Sequence, residues 1–351
     1  MKSRLTSTLL ILALLCCVLV QSSPAQTPTE QVGDVIRVDT DLTSLLFTAT
    51  DKSNRFITTL LESDLRLTED SELQKIVSFQ RETDRPLSIA LLIDVSASEE
   101  HTLPQEKAAA RSFIETVIKS GKDQAAIIAF TGSTFLEQDL TRDVLSLYKA
   151  LERVEVAMPT YLGSGRPISG IASSPGLRRP PPAGTTAIWE AIFLTVSEVL
   201  ARDSAKLGLN QKRRAVILLT DGWDTSSRLN MQEAVKSALA DETIIYAIGI
   251  GDSKREGVDK NALETLAEST GGRAFFPKKD ADLKNAFTEI EQELRTQYLV
   301  TYSSSNKLRD GSFRQVRLWI TNPLLLKEKV QLRHRPGYFA KRRSAATNAG
   351  P

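Results

Sequence analysis

The sequence predicts a doubly wound α/β domain with a mostly parallel central sheet, inserted into a small β-sandwich that its two flanks build together. Three observations predict it. From residue 86 to 295, short apolar runs alternate with segments of helical period, the pattern of repeated βαβ units. On either side, in 28–85 and 296–340, the period falls to two and turn residues recur every few positions. Each flank alone is too short to close a core, so the two are expected to complete one sandwich.

The ends of the 351-residue chain stand apart from this architecture. Lys2 and Arg4 precede an apolar stretch over 9–20, followed by Ser23-Pro24-Ala25, so residues 1–25 read as a signal peptide. A retained anchor competes, but about a dozen apolar residues fall short of a span of roughly 20. The mature chain is therefore expected to be secreted, or periplasmic in the cell envelope, with no membrane span after cleavage. Cys16 and Cys17 both lie in the leader, which leaves the mature chain without thiol or disulfide. Leu14 and Leu15 stand where lipid attachment favours small residues. Loss of Lys2 and Arg4 makes the basic and acidic counts equal, which gives no support to nucleic-acid binding. Residues 341–351, opened by Lys341-Arg342-Arg343, read as a disordered tail.

In the first flank, 45–50 (LLFTAT) runs into the turn Asp51-Lys52-Ser53-Asn54 and resumes at 55–57. Residues 65–68 alternate ahead of an acidic turn at 69–72, and 76–79 form another strand. Past Arg85-Pro86, residues 87–93 (LSIALLI) read as a buried strand. Residues 105–118 then set Ala108, Ala109, Phe113, Ile114, Val117 and Ile118 on one helical face before Ser120-Gly121-Lys122 stops the helix. A buried strand over 124–130, an edge strand over 133–138 and a helix through Val144, Leu147, Leu151 and Val154 follow. Helices over 186–200, 231–239, 262–269 and 283–294 alternate with strands over 215–219, 244–250 and 273–276. Between two of these units, residues 159–184 hold five Gly and six Pro and read as a long mobile loop, either functional or a tolerated insertion. In the last flank, 298–302, 316–320 and 329–333 supply strands around a turn at 309–312.

Two apolar strands deliver an Asp at their ends. Asp94-Val95-Ser96-Ala97-Ser98 follows the first, and Asp221-Gly222 follows the strand ending at Leu219-Thr220. Gly184-Thr185-Thr186 adds hydroxyls from a third loop before a helix. Loops after parallel strands meet at the carboxyl edge of such a sheet. Asp94 and Asp221 together would repel, a cost that a divalent cation removes while Ser96, Ser98 and Thr186 fill neutral positions. The competing account is that Asp94 and the serines cap the next helix.

Asp-x-Ser-x-Ser, a distant Thr and a distant Asp, in this order, resemble the metal-ion-dependent adhesion site (MIDAS) of von Willebrand factor type A domains, the fold shared with integrin inserted domains. The flanks resemble secreted bacterial proteins with a related domain. The resemblance implies Ser96, Ser98 and Thr186 as hydroxyl ligands, with Asp94 and Asp221 holding Mg²⁺, or Mn²⁺ or Ca²⁺, directly or through water. Thr185 is an alternative to Thr186, which fits the spacing better, and Asp224 is a candidate supporting group. One departure is Glu99-Glu100, where many members carry Gly or Met. These acids tighten the site, take a partner's coordination position, or open the next helix at its positive end, and the last is expected.

The function expected is a binding module that engages a protein partner whose Asp or Glu completes the metal shell. A metal-assisted hydrolase and a metal-free scaffold are the alternatives. Against the hydrolase, the chain has two His, His101 and His334, and lacks His-Glu-x-x-His, phosphate-loop and nucleophile-elbow motifs. Trp189 and Trp319 are expected in the core, and Trp223, in the Asp221 loop, at the surface as a hot spot for a partner.

Overall fold

The computed structural model describes residues 42–82, 85–118, 121–156, 166–168, 185–202, 212–251 and 257–342. All fall within one unit, Asp41–Pro351. The leader, most of 159–184 and nearly all of the tail lie outside the described residues.

The flanks come first and last in the chain yet pair directly. β1 (Leu42–Thr50), β2 (Leu65–Glu69), β3 (Glu72–Leu73) and β4 (Ile76–Arg81) precede the α/β part. β12 (Tyr298–Ser303), β13 (Phe313–Ile320), β14 (Gln331–His334) and β15 (Gly337–Phe339) follow it. They form two four-stranded sheets, ordered β14-β1-β12-β4 and β15-β13-β2-β3. Each sheet mixes strands of both flanks, for example Phe47 opposite Tyr298 and Leu318 opposite Leu67. The sheets bury one shared core of Leu45, Phe47, Leu67, Tyr298, Val300 and Leu318, with Phe47 and Phe79 stacked on Tyr298 at 5.2 and 5.3 Å. The β2–β3 turn places Asp70 and Ser71 at φ 48° and 73°, the doubly positive backbone of a tight hairpin. The return after Asp51-Lys52-Ser53-Asn54 makes a single bridge, Thr50 to Phe56, rather than a strand.

Trp319 departs from expectation: it is 42% exposed. β13 alternates strictly between exposed and buried positions. Leu318 and Ile320 take the inner face, so the period of two sends Trp319 outward.

Between the flanks lie β5 (Leu87–Asp94), α1 (Leu103–Val117), β6 (Gln124–Phe130), β7 (Thr134–Thr141), α2 (Val144–Arg153) and β8 (Arg166–Pro167). Then come α3 (Ile188–Leu194), which continues as a π turn over Thr195–Leu200, and β9 (Arg213–Thr220). α4 (Met231–Ala240), β10 (Thr243–Gly249), α5 (Lys260–Thr270), β11 (Ala274–Phe275) and α6 (Asp280–Arg295) complete this part, and α7 (Pro323–Lys327) belongs to the last flank. The chain leaves β4 and returns to β12 side by side, since the Glu82 amide donates to the Gln297 carbonyl at 2.8 Å.

The seven-stranded sheet runs β11-β10-β9-β5-β6-β7-β8, parallel from β11 to β6 and antiparallel beyond. Every residue of β5 is buried because helices cover both faces. Its odd positions, Leu87 to Ile93, pack with Phe113 of α1, Leu151 of α2 and Phe287 of α6. Ala90 and Leu92 meet Ile188 of α3, Ala234 of α4 and Leu263 of α5 on the other face. Strand order reverses at β5: the chain winds through β6 on one side and through β9 on the other. Such a switch point opens a crevice at the carboxyl ends of the strands, and β5 and β9 deliver the two Asp residues there.

Candidate metal centre

Asp94 ends β5 in register with Phe130, and Asp221 follows β9, the neighbouring strand. Both are buried. One carboxylate oxygen each from Asp94, Glu99 and Asp221 lies within 4.8 Å of the other two. Sequence reasoning brought the first and third together. Glu99 and Glu100 do open a helical turn, Ala97–His101, but Glu99 is also 0% exposed and meets the two aspartates, whereas Glu100 is exposed.

The local chain explains how. After Asp94 the backbone stays extended at Ser96 and then enters a 3-10 turn, Ala97–His101. The Ser96 amide donates to Asp94 Oδ1 at 2.9 Å, and the Ser96 and Ser98 hydroxyls are 2.9 Å apart. Asp94 Oδ2 accepts from the Thr220 hydroxyl at 2.6 Å, which ties β5 to β9 beneath the site. The Trp223 amide donates to Asp221 Oδ1 at 3.1 Å, and the Asp259 amide to the Asp221 carbonyl at 2.8 Å. Gly222 makes that turn at φ 89°, where a Cβ would lie 3.1 Å from the Asp259 carbonyl oxygen.

Thr186 sits 5% exposed in the loop before α3, held to the loop that follows Asp221. Its amide donates to the Thr225 hydroxyl at 2.8 Å, and its carbonyl accepts from the Thr225 and Ser226 amides at 2.9 and 3.0 Å. Thr185 gives its carbonyl to the Thr131 hydroxyl at 2.7 Å, just past β6. Asp224 accepts from the Ile188 amide at 2.7 Å and the Ser227 hydroxyl at 2.6 Å, so it joins the Asp221 loop to the start of α3. The three motifs thus occupy interlocked loops along one edge of the sheet.

Glu106 was not singled out in the sequence. It is 1% exposed on the buried face of α1, and neither of its oxygens has a hydrogen-bond partner. The signal was present: Leu103, Glu106, Ala110, Phe113 and Val117 follow one helical stripe, and only one of them is charged. Glu99 Oε1 is likewise buried without a partner, while Oε2 accepts from the Thr102 hydroxyl at 2.5 Å.

Burial pushes Asp94 from 3.8 up to about 7, against the hydrogen bonds of Thr220 and Ser96, which favour its charged form. Burial, then the charges of Glu106, Asp94 and Asp221, push Glu99 well above the usual carboxylate range. Glu106 is raised too, chiefly by burial. Closely spaced buried carboxylates with orphaned oxygens and adjacent hydroxyls form an all-oxygen donor set, which fits a hard divalent cation such as Mg²⁺, Mn²⁺ or Ca²⁺.

Residues 177–290 match the family model of the von Willebrand factor type A domain. The chain carries a domain of this family. The matched part of the type A domain includes Thr186 and Asp221, and the Asp94–Ser98 motif precedes it. A 76-residue stretch is 38% identical to calcium-activated chloride channel regulator 1 of Bos taurus and covers 21% of this chain and 7% of that protein. The chain therefore matches a small fraction of that relative's length. Similar solved structures include proximal thread matrix protein 1 of the mussel byssus with a zinc-occupied MIDAS motif, at 19% identity and a TM-score of 0.45, covering 63% of this chain and 49% of that one. A von Willebrand factor type A structure from Catenulispora acidiphila has 13% identity and a TM-score of 0.45 over 80% and 76% of the two chains. BatB of Bacteroides thetaiotaomicron has 17% identity and a TM-score of 0.42 over 60% and 100%.

Proposed function

We propose that this protein is a divalent-cation-dependent binding module, secreted or periplasmic in a bacterial envelope, that engages a protein partner through an Asp or Glu. The observation that supports it above all is the meeting of buried Asp94, Glu99 and Asp221 oxygens within 4.8 Å beside Ser96 and Ser98. Asp94, Ser96, Ser98, Thr186 and Asp221 are the residues that would hold Mg²⁺ or a similar ion. When bound, the ion supplies a positive centre to which an incoming carboxylate binds through a charge-assisted contact. The protein's own part is to position hydroxyls and exclude bulk water, while the Thr220 and Ser96 hydrogen bonds to Asp94 favour its charged form. Trp223, 39% exposed in the same loop with its indole N–H donating to the Gly257 carbonyl at 3.2 Å, offers an aromatic anchor next to that centre.

Binding is favoured over hydrolysis by the histidines. His334 lies in the sandwich with Nδ1 2.6 Å from the Arg335 carbonyl and Nε2 accepting from the Leu318 amide at 3.2 Å, and burial lowers its pKa. It serves the fold. His101 is exposed on the turn after Glu100.

The test is a pull-down from the native envelope fraction with the full mature chain in Mg²⁺ and in EDTA. Specific capture in Mg²⁺ that is lost in EDTA, and lost in both Asp94→Ala and Asp221→Ala, is expected. Capture that survives chelation and both substitutions removes the cation from the binding mechanism.

A further inference from the structure

Glu99 stands in an unusual position for an acid at the start of a helical segment. The 3-10 turn Ala97–His101 exposes Glu100 and His101, so the same turn had solvent available for a carboxylate. Glu99 instead points inward at 0% exposure, with one oxygen within 4.8 Å of Asp94 and Asp221 oxygens. Its Oε2 has the Thr102 hydroxyl, but Oε1 has no partner at all. An inward carboxylate beside two others, with an orphaned oxygen, is strongly unfavourable as an anion unless a proton or a cation shares the space.

We propose that Glu99 is an in-chain ligand that takes the carboxylate position of the partner, so that an acidic partner binds by displacing Glu99. This rests on the cation-site reading above. Two features suit the exchange. Glu99 sits on a five-residue 3-10 turn rather than within a long helix, so moving it breaks few backbone hydrogen bonds. Thr102, which holds Glu99, also lines a cleft of about 210 Å³ bordered by His101, Glu106, Lys278, Lys279 and Asp280, which gives a displaced carboxylate space, with two cations among two acids. The in-chain acid acts as a threshold: weak or single carboxylates fail to compete, and a partner with further contacts succeeds.

The experiment uses Mn²⁺ as probe on the full mature chain, with electron paramagnetic resonance for affinity and water-proton relaxation for the number of coordinated waters. Wild type is expected to bind one Mn²⁺, and Glu99→Gln to weaken it about tenfold or more while adding one exchangeable water, because site affinity follows ligand charge. Added acetate should displace that water in Glu99→Gln and leave the wild-type complex unchanged. Glu99→Asp, which keeps the charge, should recover part of the affinity. Should Glu99→Gln fail to fold, acetate on wild type decides alone: displacement of a coordinated water there refutes an already filled position. Equal affinity and water number in wild type and Glu99→Gln, with binding abolished by Asp94→Asn, overturns the Glu99 proposal and leaves the cation site standing. Wild type that binds no Mn²⁺ overturns both.

Discussion

The sandwich and the sheet edge each bury carboxylates, and they treat them in opposite ways. In the sandwich, Glu69 is 2% exposed and accepts from the Tyr302 hydroxyl at 2.8 Å, the Tyr338 hydroxyl at 3.0 Å and the Ser304 hydroxyl at 2.5 Å. At the sheet edge, Glu99 keeps one oxygen unpartnered and Glu106 keeps two. A carboxylate buried for stability is surrounded by donors, because an unmet acceptor costs about 1–3 kcal/mol and more when charged. One buried with unmet oxygens beside like charges is left to a proton or a cation to neutralise. The difference separates an acid that builds the fold from acids whose charge the proposed cation would balance.

Proton linkage gives the largest expected effect, and it tests the sheet edge first. In metal-free protein, burial raises Asp94 from 3.8 to about 7, so the folded state binds the extra proton in that window. Stability is then fully present below the unfolded value and falls as pH rises through the folded one, by up to about 4 kcal/mol for Asp94 alone. Urea denaturation in EDTA should show a higher midpoint at pH 5 than at pH 8, and saturating Mg²⁺ should flatten that slope. A metal-free protein that gains stability across this range would place Asp94 in a donor-rich setting like that of Glu69.

Next in size is the sandwich acid itself. Glu69→Ala removes this acceptor from the buried Tyr302 and Ser304 hydroxyls and the half-buried Tyr338 hydroxyl and should cost about 3 kcal/mol, the same with Mg²⁺ and with EDTA. A loss that depends on the ion would erase the contrast between the two regions. Third is the ion: Mg²⁺ at about a hundred times its Kd should stabilise wild type by roughly 2.7 kcal/mol, and Asp221→Asn should show no such gain. Calorimetry with and without Mg²⁺ reads both.

Much of this was legible in the sequence because strand period and end chemistry agree. The continuous run 87–93 could be buried on both faces only in a helix-covered sheet, and Asp94 and Asp221 each follow directly on such a run. The flanks were readable as one sandwich because neither carries enough apolar surface alone, and Phe47 does face Tyr298. Less legible was anything set by direction within a short turn. Nothing in Ala97-Ser98-Glu99-Glu100 distinguishes the inward acid from the outward one, since a 3-10 turn places neighbours about a third of a turn apart. Thr220 was hidden for another reason: a hydroxyl at the end of an apolar strand looks like a β-branched strand residue until its cross-strand neighbour, Asp94, is known. Glu106 could have been found from its stripe.

The smallest effect probes the sandwich from outside. Trp319 and Leu318 are adjacent on β13, but alternation puts Leu318 in the core and sets Trp319 at 42% exposure opposite Arg66 of β2. Removing an exposed aromatic forfeits cross-strand contact and little burial, so Trp319→Thr, which keeps a β-branched residue in the strand, should change stability by no more than about 0.5 kcal/mol. Trp189 provides the control on the α/β side, where an 8% exposed indole packs against the sheet and truncation to Ala should cost several kilocalories per mole, about 3–5. Equal and large losses at the two tryptophans would mean that the outer face of β13 is covered in solution, which would turn Trp319 from a surface residue into part of an interface.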